Sequence, residues 1–175
     1  RWAVGACGRQ PALVCRMGSA TSAILLGGRS AVDSIQQEKG VVGYVPGGWD
    51  MFHVGHLNIL NRAKQECDYL IVGVTTDDAL FEMKGKRPIV PLAERLAIVE
   101  AIGVVDEAVV DFSRNKVQVW RRVGFDVLLK GDDWKGTAKG DQLERDMASV
   151  GVRVCYLPYT HTTSSTELRR VLLAL

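Results

Sequence analysis

Residues 41–75 read VVGYVPGGWDMFHVGHLNILNRAKQECDYLIVGVT, and the succession of patterns in this stretch decides the fold. Residues 41–45 form a short apolar run with β-branched positions, followed at once by the turn Pro46-Gly47-Gly48. Residues 53–66 put Leu57, Leu60 and Ala63 on one helical face. Residues 69–75 are apolar without polar alternation, as expected of a strand covered on both sides of a parallel sheet. Strand, glycine turn, helix and strand in that order make a βαβ unit.

The same alternation continues downstream. Pro91 opens a helix at its first turn, where a missing N–H costs nothing, and residues 93–102 continue it. Strands are expected at 107–111, 127–130 and 153–157, and helices at 116–123, 142–149 and 166–174. The fold class is therefore α/β: a doubly wound, Rossmann-like five-stranded parallel sheet with helices on both faces. In such sheets ligands bind beyond the carboxyl ends of the strands, at the point where the winding reverses.

The 175 residues, 24% charged and 47% hydrophobic, suit one globular domain and exclude collagen, coiled coil and wholesale disorder. Residues 1–40 differ: Gly, Ala, Ser and Arg without clear periodicity, read as a poorly ordered extension before a domain at 41–175. The chain opens on Arg rather than Met, as a piece of a longer product would. Residues 1–32 hold four Arg and no acid, which leaves 18 bases against 20 acids in the remainder. Bulk charge thus offers nucleic acid no footing, and an anion must be gripped at a local site. No run of about 18 apolar residues predicts a membrane span. Cys7, Cys15, Cys67 and Cys155 form no CxxC pair, so structural zinc and dithiol chemistry are unsupported and a reduced, cytoplasmic compartment is expected.

Four loops after four strands carry candidate chemistry. The first, residues 46–56, is not GxGxxG; Gly47 and Gly48 let backbone N–H groups, with that of Trp49, approach an anion ahead of a helix start. His53 and His56, three residues apart, point the same way. Two imidazoles aimed at one spot suit a phosphate gaining charge during displacement, a metal ion, or two ordinary polar contacts at a helix start. The second loop holds Lys84-Gly85-Lys86-Arg87, a surface patch by composition alone. Its place after a central strand would let the lysines close over a polyphosphate. The third, Lys130-Gly131-Asp132-Asp133-Trp134-Lys135-Gly136, offers two carboxylates for a cap, a base or ribose, or Mg²⁺. Asp132, first off the strand, is the better placed. The fourth, residues 158–166, has six serine and threonine residues in nine, more than one helix cap needs. A phosphate at that helix start would use the surplus.

Together these segments resemble the HxGH nucleotidyltransferases, and within them the cytidylyltransferases of the glycerol-3-phosphate branch. GGWDMFHVGH is similar to G-T-F-D-x-x-H-x-G-H, CDYLIVGVTTDD to G-D-Y-L-I-V-x-x-S-T-D, RLAIVEAIGVVDEAV to R-x-x-I-x-E-x-I-x-x-V-D-E-V, KGDDWKG to G-D-D-W-x-G, and SST to S-T-T. Class I aminoacyl-tRNA synthetases share HxGH, but they are far longer and need a KMSKS-type loop absent here. Departures from the pattern are Gly48 for Thr, Tyr159 for a phosphate-gripping Arg, Thr162-Thr163 for Gly-Ile, and Gly103 where the branch can carry a base-contacting Arg. Arg95 or Lys86 would have to make up the lost grip.

The resemblance implies in-line attack by an acceptor phosphate on the α-phosphorus of CTP, with pyrophosphate leaving. It implies His53, His56 and Lys84 as the catalytic groups, and Gly47, Gly48, Trp49, Lys86, Asp132, Thr160, Ser164, Ser165 and Thr166 around the nucleotide. Asp50 and Lys84 would face the acceptor, a small phosphorylated alcohol or sugar such as glycerol 3-phosphate. Mg²⁺ would be held through the nucleotide phosphates, with no metal ligated by the protein. Partners would not include nucleic acid, and a homodimer is implied. The alternatives are an adenylyltransferase acting on a sugar phosphate and an ethanolamine-phosphate cytidylyltransferase. A module that binds nucleotide without turnover is a further one.

Overall fold

The computed structural model describes residues 39–158, 160 and 163–174; the expected extension at 1–40 therefore lies almost wholly outside the described residues. Five strands, β1 (Val42–Gly47), β2 (Tyr69–Thr75), β3 (Glu107–Asp111), β4 (Val127–Gly131) and β5 (Arg153–Leu157), form one parallel sheet in the order β3-β2-β1-β4-β5. Six helices connect or follow them: α1 (Val54–Lys64), α2 (Asp77–Lys84), α3 (Leu92–Glu100), α4 (Lys116–Val123), α5 (Ala138–Ala148) and α6 (Ser165–Leu172). The winding runs outward from β1 to β3, then restarts at β4 on the other side, which puts the reversal between β1 and β4. No helix among the described residues is long and apolar enough to cross a membrane.

Strand periodicity sorts the core into two layers. Val45, Leu70, Val72, Val74, Val127 and Leu129 face one way and meet Leu60 and Ala63 of α1 and Val99 of α3. Val42, Tyr44, Ile71 and Leu128 face the other and meet Val119 of α4 and Leu143 and Met147 of α5. Each fully buried aliphatic side chain contributes about 1.5–3 kcal/mol. Gly73 is demanded by packing: a Cβ there would sit 2.0 Å from the Tyr44 hydroxyl, whose ring stacks on Phe125 at 4.6 Å.

The cleft originates in an unequal ladder. β1 stays paired with β2 as far as Gly47–Val74, but its pairing with β4 ends at Tyr44–Leu128. The two strands part at their carboxyl ends, and Pro46, with no N–H to give, sits where none is asked for by β4.

Three elements differ from the sequence expectations. β1 runs two residues further, through Pro46 and Gly47, because only its β2 side needs donors there. Residues 77–84, expected as loop, form α2, capped by Thr76 accepting from the Ala79 N–H and ended by Gly85 at φ +68°. Helix α5 begins at Ala138 rather than 142, with the Thr137 side chain accepting from the Gly140 N–H.

Candidate active site

Helix α1 begins with an unusual cap. His53, at extended φ, is its N-cap, and its Nδ1 accepts from the Gly55 N–H at 3.1 Å. His56 reciprocates: its Nδ1 faces the His53 N–H at 3.4 Å. Two histidines thus perform the exchange that Ser and Glu perform in a capping box. Residue 55 must be Gly, since a Cβ would come within 2.8 Å of the His53 ring.

Accepting at Nδ1 assigns both rings the tautomer protonated at Nε2, which leaves Nε2–H as the donor. The rings stack at 4.0 Å, and Trp49 lies edge-on to His56 at 5.3 Å. Burial, with His53 adding repulsion, pushes His56 down to about 3, and burial lowers His53 as well. At neutral pH these are two oriented neutral donors rather than two cations.

The preceding loop is held in strain. Trp49 and Met51 have φ of +54° and +48°, values that non-glycine residues adopt only when their surroundings enforce them. Trp49 is buried, and its Nε1–H donates to the Gly73 carbonyl at 2.9 Å. A Cβ on Gly47 would lie 2.6 Å from that indole.

Helix α6 supplies the hydroxyls. Ser164 caps it, accepting from the Glu167 N–H at 3.2 Å, and so keeps its own proton to donate outward. Ser165 gives its proton to the Asp50 carbonyl at 2.7 Å, which leaves its helix-start N–H for an anion. Thr160 Oγ1 accepts from Asn58 at 3.3 Å, tying the last loop to α1.

A cleft of about 250 Å³ opens between the parted ends of β1 and β4, lined by Gly47, Gly48, Trp49, His53, His56, Lys84, Thr160, Ser164, Ser165 and Thr166. Two helix starts, α1 and α6, give onto it. An adjoining cavity of about 380 Å³ shares Gly48, Trp49, His56, Lys84, Ser165 and Thr166, and adds Asp50, Lys86 and Arg169. Lys84 ends α2 at the exposed mouth, its pKa lowered by partial dehydration and then by Lys86.

Two expected residues are placed differently. Asp133, not Asp132, lines the cleft, because residues 132–134 wind into a 3₁₀ turn that carries the second carboxylate inward. Asp50 has both oxygens engaged: it accepts from the N–H groups of Ile89 and Val90 and from Arg169 at 3.0 Å. Burial opposes its charge, but those donors outweigh burial and hold the carboxyl below its usual range. It is therefore a knot between the lysine loop and α6. Gly103 is exposed with nothing near its Cα side, and Tyr159, His161 and Thr162 lie outside the described residues.

Sequence reasoning offered Arg95 as a phosphate ligand, and the structure overturns that. Arg95 is fully buried, donating to the carbonyls of Val90, Gly48 and Thr75 and pairing with Asp77. Its guanidinium pins the glycine loop from behind. Three groups were given no role. Arg169, on α6, holds Asp50 and the Arg87 carbonyl. Asp111, fully buried, pairs with Lys116 at 2.6 Å. Lys130, at the end of β4, lines the cleft; a charged residue closing an otherwise apolar strand was the available signal.

Among the described residues no three His, Cys, Asp or Glu side chains gather as a metal cage. With Asp133 the one carboxylate among the described residues that line the cleft, the donor set fits a cation carried in by phosphate oxygens.

The cytidylyltransferase-like family model matches residues 44–171. The chain is 34% identical to glycerol-3-phosphate cytidylyltransferase of Bacillus spizizenii over 125 residues, 71% of this chain and 91% of that protein. It is likewise 34% identical to the Bacillus subtilis protein of the same name, over 70% of this chain and 90% of that one. The bifunctional protein HldE of Acidiphilium cryptum is 32% identical over 73% of this chain, which spans 26% of that longer protein. Among solved structures, the lipopolysaccharide core biosynthesis protein from Thermoplasma volcanium superposes with a TM-score of 0.60 at 25% identity, over 71% of this chain and 99% of that one.

Proposed function

The chain belongs to the cytidylyltransferase-like family, and on that premise we propose that it transfers CMP from CTP to a small phosphomonoester such as glycerol 3-phosphate, releasing pyrophosphate. The observation that carries this reading is the convergence, in one cleft at the reversal of the sheet, of two imidazole Nε2–H donors and a second helix start rich in hydroxyls. Such fixed donors stabilise charge that builds on phosphate oxygens while requiring no rearrangement during reaction.

His53 and His56 donate to oxygens of the α- and β-phosphates. The N–H groups of Gly48 and Trp49 approach from the strained loop. Ser164 and the N–H groups at the start of α6 hold the outer phosphates, with Thr160 and Thr166 beside them. Lys84 and Lys86 bring mobile positive charge from the mouth. No protein nucleophile is needed, since the acceptor phosphate attacks directly; the protein's task is orientation and charge stabilisation. Mg²⁺, when bound through the nucleotide phosphates, supplies charge neutralisation on the leaving pyrophosphate.

A second reading, an adenylyltransferase acting on a sugar phosphate, is favoured by one observation. At the position where the resemblance places a base-contacting Arg stands Gly103, exposed and without neighbours. Ethanolamine phosphate as the acceptor is the remaining alternative. Pyrophosphate release, measured with CTP and with ATP separately against a panel of phosphomonoesters, discriminates all three. Turnover with CTP and glycerol 3-phosphate is expected, and turnover with ATP alone overturns the cytidylyl assignment. We also propose a cytoplasmic homodimer, on the family resemblance and on Cys67 and Cys155 being free thiols. Sedimentation of the purified chain tests the assembly.

A further inference from the structure

Lys130 takes no part in the nucleotide grip built by the two helix starts, yet it stands where two cavities meet. It lies at the end of β4, just beyond the point where β1 and β4 part. It lines the cleft and also a larger cavity of about 760 Å³ that reaches across the ends of β2 and β3, past Thr75, Asp111 and Leu143. Pro46, Gly47, Gly48, Lys84 and Trp134 border both spaces with it.

Its ammonium donates to the Pro46 carbonyl at a long 3.3 Å and sits 4.4 Å from the Trp134 ring centroid. Among the described residues no carboxylate comes within ion-pair distance of it. The neighbouring cations are treated differently: Lys116 has Asp111, and Arg95 has Asp77. Keeping a partly dehydrated ammonium on a carbonyl and a ring alone is costly. The cost is offset when an anion arrives at the junction.

We propose that Lys130 is an acceptor-binding residue: its ammonium holds the acceptor's phosphate at the junction of the two cavities, with the rest of the acceptor in the larger one. This rests on the nucleotidyl-transfer reading. In the step, an oxygen of the acceptor phosphate bonds to the α-phosphorus, and the bond from that phosphorus to the bridging oxygen breaks. The electron pair leaves with pyrophosphate. A dianionic acceptor brings no proton that must be removed. Two anions repel more strongly as they close, and a cation between them opposes that repulsion.

The charged groups facing Lys130 are Lys116 from α4, Lys84 from α2, Asp111 from β3 and Asp133 from the 3₁₀ turn. Burial first, and Lys116 next, bring its pKa down to about 8, against the pull of the two carboxylates. Acceptor binding should therefore weaken as pH rises through that value.

The test compares wild type with Lys130→Met and Lys130→Arg, thermal melts verifying the fold of each. Lys130→Met should raise KM for glycerol 3-phosphate about tenfold or more and leave KM for CTP within about twofold. Lys130→Arg should recover most of the loss and remove the alkaline decline. An unchanged acceptor KM in Lys130→Met, or an equal rise for CTP, overturns the proposal. Calorimetric titration of inorganic phosphate into protein saturated with a non-hydrolysable CTP analogue reads the same site without turnover. Phosphate uptake that Lys130→Met abolishes supports it, and equal uptake overturns it. If the wild type releases no pyrophosphate with any nucleotide, the transferase reading fails, and this titration still decides whether Lys130 holds an anion.

Discussion

The two sides of β1 solve the handling of charge in opposite ways. Toward β4 and β5 the groups set to grip the nucleotide are neutral, Lys130 being the charged exception: two imidazoles locked as donors, serine and threonine hydroxyls, and the starts of α1 and α6. Toward β2 and β3 they are full charges tied in pairs, Asp111 with Lys116 and Asp77 with Arg95. Neutral donors can receive a highly charged ligand and release it without leaving a bare charge behind. Locked pairs give a rigid wall whose charges are already answered. The contrast teaches that binding strength and scaffold stiffness are supplied by different halves of one sheet.

The contrast can be broken from either side, and the largest effect belongs to the paired side. Lys116→Met leaves the Asp111 carboxylate buried without its partner and should cost about 3–5 kcal/mol of stability, read from urea denaturation. On the neutral side, His56→Ala should lower kcat by about 10²–10³ while the denaturation midpoint at pH 7 moves far less. Wild-type turnover in that variant would mean that the histidines only cap the helix. Lys84→Ala, at the mouth, should cut kcat/KM for the acceptor about tenfold, with CTP affinity by calorimetry nearly unchanged. A defect confined to CTP affinity would place Lys84 with the neutral side's ligand.

The last effect concerns acid. The His56 pKa falls from 6.5 in the unfolded chain to about 3 in the fold, so the unfolded chain binds the extra proton between those values. Stability then rises with pH across that window: His56 withholds nothing above pH 6.5 and weakens the fold as pH drops toward 3. His56→Asn should flatten the slope of melting temperature between pH 6 and pH 4 (values within that window), and an identical slope would assign the acid sensitivity elsewhere.

The sheet was legible because its central strands are continuous apolar runs, and 69–75 can hardly be anything else. The histidines, the hydroxyl cluster and Lys84 were legible because each follows a strand. Asp50 was readable as a site residue but not as a knot, since its partners Val90 and Arg169 are 40 and 119 positions away. Arg95 misled for the same reason: it reads as a base able to grip phosphate, and its burial depends on carbonyls of three separate segments. Helix α2 was missed although Thr76 and Gly85 are a cap and a stop. Caps alone carried the information.

Helix α6 buries none of its residues and is anchored to the rest through polar ties to Asp50 and Arg87. A segment attached that way detaches at a small fraction of the free energy that melts the sheet. The terminal hydroxyl-bearing turn can therefore breathe while the histidine cap stays put, giving product an exit on one flank only. Amide exchange along residues 165–172, faster than in β1 and slowed by nucleotide, would register that one-sided door.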